Sequence, residues 1–362
     1  MKRIGILTIP RAENYGSVLV SYAVQKLIDE IDIDNEIVDY VSPFLVGRYP
    51  LFKMRKNNGE NMVVSAINGL LTYRMRKIKK KKFASFRRNL RFSSSQINKS
   101  SEIEQYKLIV CGGDQIWNTR ITHEDTAFFL DFCGSDTRKI AYSVSMGYSD
   151  RTRDEIEFYK KNIINFEEIG VREEDDVTFI QQIVGERCDV KCIIDPTLAI
   201  EKNIWKQFLT KRIINEPYIF VYSMKRDEKI IEAAQGMGKR KKCKIYIIEE
   251  EWKKKNRDGF YTMAGMGPID FLNLVFGAEF IVTNSFHGMA FSIIFEKQFR
   301  VSLFEGTEKR MLSLLRILGI KDAILCEEIN YNYLIDYKKV NDTLKQQQEK
   351  AKLFLARALK AI

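Results

Sequence analysis

Short apolar runs alternate with helical periodicity along most of this chain, in two successive cycles, and that alternation leaves few architectures open. Lys2–Ile9 reads as a strand and Glu36–Val41 as another. Between them, Ser17 can cap a helix through Ile31 that carries Leu19, Ala23, Leu27 and Ile31 on one face. Further strands are expected at Leu108–Cys111, Lys139–Val144, Glu168–Val171 and Val190–Ile194, with a helix over Glu173–Ile183. A second cycle starts near residue 215. It has strands at Tyr218–Ser223, Lys244–Ile248, Phe280–Thr283 and Arg300–Leu303, and helices at Glu228–Met237, Ile269–Phe276, Met289–Phe295 and Glu308–Leu318. Strand–helix alternation predicts parallel sheets covered by helices. At 362 residues the chain is longer than one core usually serves, so two α/β domains are expected. We place them at 1–205 and 206–325, with a basic, mostly helical insert at about 44–100 in the first. A tail, 326–362, carries a helix at Leu344–Ala361 that can pack back onto the first domain.

Several function classes drop out. The longest apolar runs fall far short of the ~18 residues a membrane span needs. Met1–Leu7 looks like a first strand and not a signal peptide. Six cysteines are scattered at 111, 133, 188, 192, 243 and 326, which suits reduced thiols in a cytoplasmic protein. Cys188 and Cys192 are four apart, but the chain has only two histidines and no zinc set is evident, so no metal is expected. The first strand–helix turn lacks G-x-G-x-x-G, so a dinucleotide cofactor is not expected. The net charge of +11 asks for an anionic partner. Much of it sits in Arg74–Lys82 and the Arg87, Arg88 and Arg91 that follow, just after the apolar stretch Met62–Leu71. That pattern suits either a helix lying on an anionic membrane surface or a solvated lysine-rich face. No nucleic-acid motif accompanies it, and a nucleic-acid partner is not expected.

His287 follows the apolar run Phe280–Thr283 and precedes a tightly packed helix start. It therefore lies at the carboxyl end of a strand, the edge where open α/β sheets bind ligands and where helix N-termini offer N–H groups to anions. An imidazole there can exchange protons near neutral pH, or it can be a structural turn residue. Arg172, after the strand ending at Val171, can grip an oxyanion bidentately or pair with Glu173 or Glu174. Asn14, Tyr15 and Gly16 follow the first strand; the first two are sugar-bonding types and Gly16 permits close backbone approach, though a loop turn and helix cap fits equally. Asp114 and Trp117 follow another strand. They suit hydroxyl binding and sugar stacking, or a capping Asp beside a buried Trp. Asp195-Pro196 reads as an interdomain hinge, and His123 as a surface residue.

Six segments in order carry a resemblance: Asn14–Leu19 with Tyr22–Gln25, Cys111–Asn118, Ala141–Gly147, Val171–Glu174, Asp195–Leu198 and Thr283–Gly288. Over roughly residues 4–320 the chain resembles the polysaccharide pyruvyl transferase family. The resemblance implies two Rossmann-like domains with an interdomain cleft, similar to the GT-B glycosyltransferase fold. It implies transfer of the pyruvyl group of phosphoenolpyruvate onto sugar hydroxyls of a cell-surface glycan precursor as a ketal, with no further cofactor. His287 and Arg172 match the family's catalytic positions. Asn14, Tyr15, Gly16, Asp114, Trp117, Ser143, Ser285, Phe286 and Gly288 fall in its motifs as substrate-binding candidates. Better-studied members have an arginine two residues before the histidine; here that position is Ser285, which predicts a donor site poorer in cation. The implied partners are phosphoenolpyruvate and a saccharide acceptor, lipid-linked if the protein sits peripherally on the inner face of the plasma membrane. Two other readings stay open: a GT-B glycosyltransferase using a nucleotide sugar, which would lack the usual Asp-x-Asp, and a non-catalytic member of a glycan-assembly complex.

Overall fold

The computed structural model describes residues 3–46, 62–97, 106–210, 212–225, 227–249, 259–304, 308–327 and 329–360, without the side chains of 43, 46, 62–72 and 249. Two parts of the basic insert, 47–61 and 98–100, lie outside the described residues, as do the side chains of the apolar stretch 62–71.

The first sheet is built from β1 (Ile4–Leu7), β2 (Asn35–Ile37), β3 (Leu108–Gly112), β4 (Arg138–Val144), β5 (Glu168–Val171) and β6 (Lys191–Cys192). Its order is β2-β1-β3-β4-β5-β6, all parallel. The second holds β7 (Tyr218–Ser223), β8 (Lys244–Glu249), β9 (Phe260–Thr262), β10 (Phe280–Thr283) and β11 (Phe299–Val301), in the parallel order β11-β10-β7-β8-β9. This is the expected α/β class with two Rossmann-like units. The central strands β3, β7 and β10 are buried along their whole length, as apolar strands covered on both faces must be.

The helices include α1 (Tyr15–Asp29), α2 (Met62–Arg87), α3 (Arg153–Ile163), α4 (Glu174–Val184), α5 (Pro196–Ala199), α6 (Glu228–Lys241), α7 (Pro268–Gly277), α8 (Phe286–Ile294), α9 (Glu308–Ile317) and α10 (Tyr337–Lys360). Two starts differ from expectation. Asn14, not Ser17, caps α1: its side chain accepts the Ser17 N–H at 3.2 Å, so the helix begins at Tyr15. The cap of α8 is Ser285, which starts that helix three residues before Met289 and puts His287 in its first turn. Helix α3 was not expected from apolar spacing. A capping box between Thr152 and Glu155 sets its start, a signal legible in the T-x-x-E pattern.

The two units share one apolar core. Tyr15 of α1 stacks on Phe271 of α7 with ring centroids 4.8 Å apart and touches Phe83 of α2 at 5.3 Å. Trp205 meets Phe291 of α8 edge-on at 5.0 Å. Each such ring, fully buried, is worth roughly 1.5–3 kcal/mol, so the junction is held by burial and not by a few surface pairs. Helix α10 lies on the first unit. Phe354 packs where Gly170 lacks a side chain, Arg357 pairs with Glu168 at 2.7 Å, and Gln348 donates to the Leu198 carbonyl at 2.7 Å. No helix among the described residues is long and apolar enough to cross a membrane.

Candidate active site

The carboxyl ends of β1, β3 and β5, the start of α5 and the start of α8 bring their residues to one place. His287, 4% exposed, enters from the second unit. It packs on the backbone of Gly16, where a Cβ would lie 2.5 Å from the imidazole Cε1 and closer still to Nδ1. Only glycine allows that approach, so Gly16 acts by making room for the imidazole. Asp114 Oδ2 lies 3.7 Å from His287 Nδ1, and Asp195 Oδ2 lies 3.6 Å from Nε2. The imidazole is thus flanked on both nitrogens by carboxylates of the first unit.

Arg172 ties the two carboxylates together. Its guanidinium is 2.8 Å from Asp114 Oδ1 and 2.9 Å from Asp195 Oδ2, and it also donates to the Ser143 carbonyl at 3.3 Å. A second guanidinium, Arg310 of α9, bonds the same Asp114 oxygen. The two cations lean on the ring of Phe286, at 5.3 and 5.5 Å from its centroid. Burial pushes the Asp114 carboxyl up, but the charges of Arg310, His287 and Arg172 outweigh it and hold it below the usual carboxylate range. Asp195 is likewise opposed by burial and is held well below the usual carboxylate range by Arg172, by His287 and by the Thr197 hydroxyl. Arg172 stays charged: burial works against it, and Asp195 and Asp114 prevail.

Behind this group lies a second buried set. Asp176 pairs with Arg151 and with Lys309 of α9, the latter at 2.6 Å. Glu173 accepts the Ser145 hydroxyl at 2.6 Å, and burial together with the neighbouring Asp176 pushes its carboxyl up to about 8. Helix α9 therefore reaches the first unit through Lys309, through Arg310 and through Ser313, whose hydroxyl accepts the Glu174 N–H at 3.4 Å.

Several expectations need correction. Trp117 is fully buried, donates its indole N–H to the Phe128 carbonyl at 3.1 Å, and stacks on Phe129; it is core and no sugar can lie on it. Tyr15 is 1% exposed and its hydroxyl donates to the Met266 carbonyl at 2.8 Å, so it joins the two units and is not open to a sugar. Asn14 caps α1 through its side-chain oxygen. Gly288 is small because Thr283 packs against it. The Ser143 hydroxyl is buried without a partner among the described residues; that residue sits at φ +50°, beside the register shift between β4 and β5, and contributes its carbonyl. Ser285 is buried and caps α8 by accepting the Gly288 N–H at 3.4 Å. The sequence predicts a site poorer in cation there; Arg310, 25 residues beyond Ser285 in the chain, brings a second guanidinium onto Asp114 and the Phe286 ring. Asp195 is no mere hinge, since it touches both His287 and Arg172. Of the expected residues, the structure brings together His287, Arg172, Gly16, Asp114, Phe286 and Ser143. Arg310 had no local sequence signal, whereas Asp195, following the strand-end Ile193-Ile194, had one.

The sequence profile of the polysaccharide pyruvyl transferase family matches residues 14–301. No curated protein matches the chain by sequence. Among solved structures, the UDP-GlcNAc 2-epimerase of Methanocaldococcus jannaschii superposes with a TM-score of 0.50 at 11% identity, over 95% of this chain and 92% of that one. A UDP-GlcNAc 2-epimerase of Neisseria meningitidis gives 0.45 at 9% identity, over 99% and 94%. UGT89C1 of Arabidopsis thaliana gives 0.43 at 10%, over 98% and 92%. At these identities the likeness concerns the two-unit fold alone.

Proposed function

Because the chain belongs to the polysaccharide pyruvyl transferase family, we propose that it takes phosphoenolpyruvate as donor and builds a pyruvate ketal on two hydroxyls of a glycan precursor. The observation that supports this reading is the meeting of His287 with two guanidiniums, Arg172 and Arg310, at the junction of the units. Phosphoenolpyruvate is a small polyanion and needs fixed cations. Guanidiniums suit its carboxylate and phosphate because they present aligned N–H pairs. Ketal formation begins with a proton delivered to the donor's methylene carbon. His287 is the one imidazole in this group and is the acid of the proposal. The carbon next to the carboxylate then accepts a sugar hydroxyl, phosphate departs, and a second hydroxyl closes the ring.

Incubation with phosphoenolpyruvate and a panel of free and lipid-linked saccharides tests the reading. We expect phosphate release and acceptor mass gain in equal amounts. Release without mass gain, or activity only with nucleotide sugars, overturns it.

We further propose that α2 holds the protein on an anionic membrane surface near a lipid-linked acceptor. Its inner face is consumed: Phe83 and Phe86 are core, Lys82 pairs with Asp270 at 2.8 Å, and Lys79 lies over the ring of Tyr15 at 5.1 Å. Its outer face shows Arg74, Lys77, Lys80, Lys81 and, just past its end, Arg88. Each basic side chain near such a surface is worth about 1 kcal/mol. We expect Lys77, Lys80 and Lys81 changed to Gln to lose sedimentation with anionic vesicles, and binding of the unaltered protein to fall steeply with salt. Equal sedimentation with neutral and anionic vesicles removes the membrane from the account.

A further inference from the structure

The two carboxylates beside His287 are not equivalent. Asp195 is 1% exposed and committed: Oδ1 accepts from the Thr197 N–H at 2.8 Å and from its hydroxyl, and Oδ2 faces Arg172. A group so enclosed cannot meet a sugar, and it is placed to hold the imidazole through Nε2. Asp114 is the more accessible of the two, with its side chain 14% exposed. Its Oδ1 is bound by both Arg172 and Arg310. Its Oδ2 lies on the imidazole side and carries no hydrogen bond among the described residues.

Asp114 thus occupies the guanidiniums that an anionic donor needs. On the pyruvyl-transfer reading, we infer that Asp114 is the base that accepts the acceptor's hydroxyl proton, and that donor binding makes it basic by drawing Arg172 and Arg310 away. Without the donor, two guanidiniums and the imidazole hold the Asp114 carboxyl down against burial and against the charge of Asp195, and keep it a poor base. With the donor bound, the same cations are shared with its carboxylate and phosphate, and the carboxylate of Asp114 regains affinity for a proton.

The protons then balance. Nδ1–H of His287 protonates the methylene carbon. The first hydroxyl oxygen bonds to the adjacent carbon and gives its proton to Asp114 Oδ2, which returns it to Nδ1. The carbon–oxygen bond to phosphate breaks, its electron pair leaves with phosphate, and the second hydroxyl's proton leaves with it as the ketal closes. No oxidant or reductant is involved. A base that is switched on by the donor also keeps acceptor hydroxyls from being activated when no donor is present.

The test is Asp114→Asn, with Asp114→Glu beside it. We expect Asp114→Asn to bind phosphoenolpyruvate in calorimetry at least as tightly as the unaltered protein, because the guanidiniums are freed. Phosphate release should fall roughly 100-fold or more, and the acid limb of the pH–rate profile should disappear. Asp114→Glu should recover part of the rate. Turnover within tenfold of normal in Asp114→Asn overturns the inference, as does a loss of donor affinity that matches the loss of rate, since Asp114 would then only order the guanidiniums. Should Asp114→Asn not fold, Asp114→Glu decides: a shifted acid limb with donor affinity kept supports the base, and an unshifted limb overturns it. Failure of the pyruvyl-transfer reading shows earlier, as an unaltered protein that releases no phosphate from phosphoenolpyruvate with any acceptor.

Discussion

His287→Ala should leave a folded protein whose phosphate release falls by roughly 10²–10⁴-fold, the usual worth of a positioned general acid. The fold should survive because the imidazole neither caps α8 nor belongs to the shared apolar core; Ser285 does the capping, and the ring the imidazole meets is that of Phe286, edge-on at 5.2 Å. The carboxylates it leaves behind remain paired, Asp114 with two guanidiniums and Asp195 with Arg172 and Thr197. Thermal midpoint and phosphate release are measured on the same preparation. A folded variant with near-normal turnover removes His287 from the acid role.

Arg172→Ala should weaken donor binding by roughly 10- to 100-fold, since hydrogen bonds to charged groups are each worth about 1.5–3 kcal/mol. It should also cost stability. Asp195 is fully enclosed, and removing one partner of a buried ion pair typically costs about 3–5 kcal/mol by stranding the other charge. Arg172→Lys separates the two effects. An ammonium keeps the charge that Asp114 and Asp195 require, but it cannot present two aligned N–H groups to an oxyanion. We therefore expect Arg172→Lys to recover more of the thermal midpoint than of the donor affinity. Calorimetric titration with phosphoenolpyruvate reads the affinity directly. Equal affinity in Arg172→Ala and the unaltered protein would place the anion elsewhere, with Arg310 the first residue to examine.

The strands Glu168–Val171, Tyr218–Ser223 and Phe280–Thr283 have the same bounds in sequence and structure. Tyr218–Ser223 and Phe280–Thr283 are buried along their whole length and Glu168–Val171 over its last three residues, and an apolar run flanked by polar residues marks such a parallel strand from local information alone. For the same reason His287 and Arg172 could be recognised at strand ends, and the helix caps could be approached to within a few residues. The three-residue edge strand Phe260–Thr262 was too short to stand out.

What the sequence by itself determined is the order of strands and helices, the α/β class and which strand ends face the ligand edge, because those depend on periodicity within a few residues. Tertiary structure alone decided which polar and aromatic residues remain available. Tyr15 and Trp117 look like sugar-binding types but are drawn into the core by Phe271 and Phe129, and Lys79 and Lys82 are turned inward from a basic helix. It also decided that Arg310, 196 residues from Asp114 in the chain, completes the charge cluster. The physical reason is range. Local patterning is encoded by neighbours in sequence, whereas the partner of a buried charge is fixed only when the two units dock and every ionised group excluded from water must find its counterion.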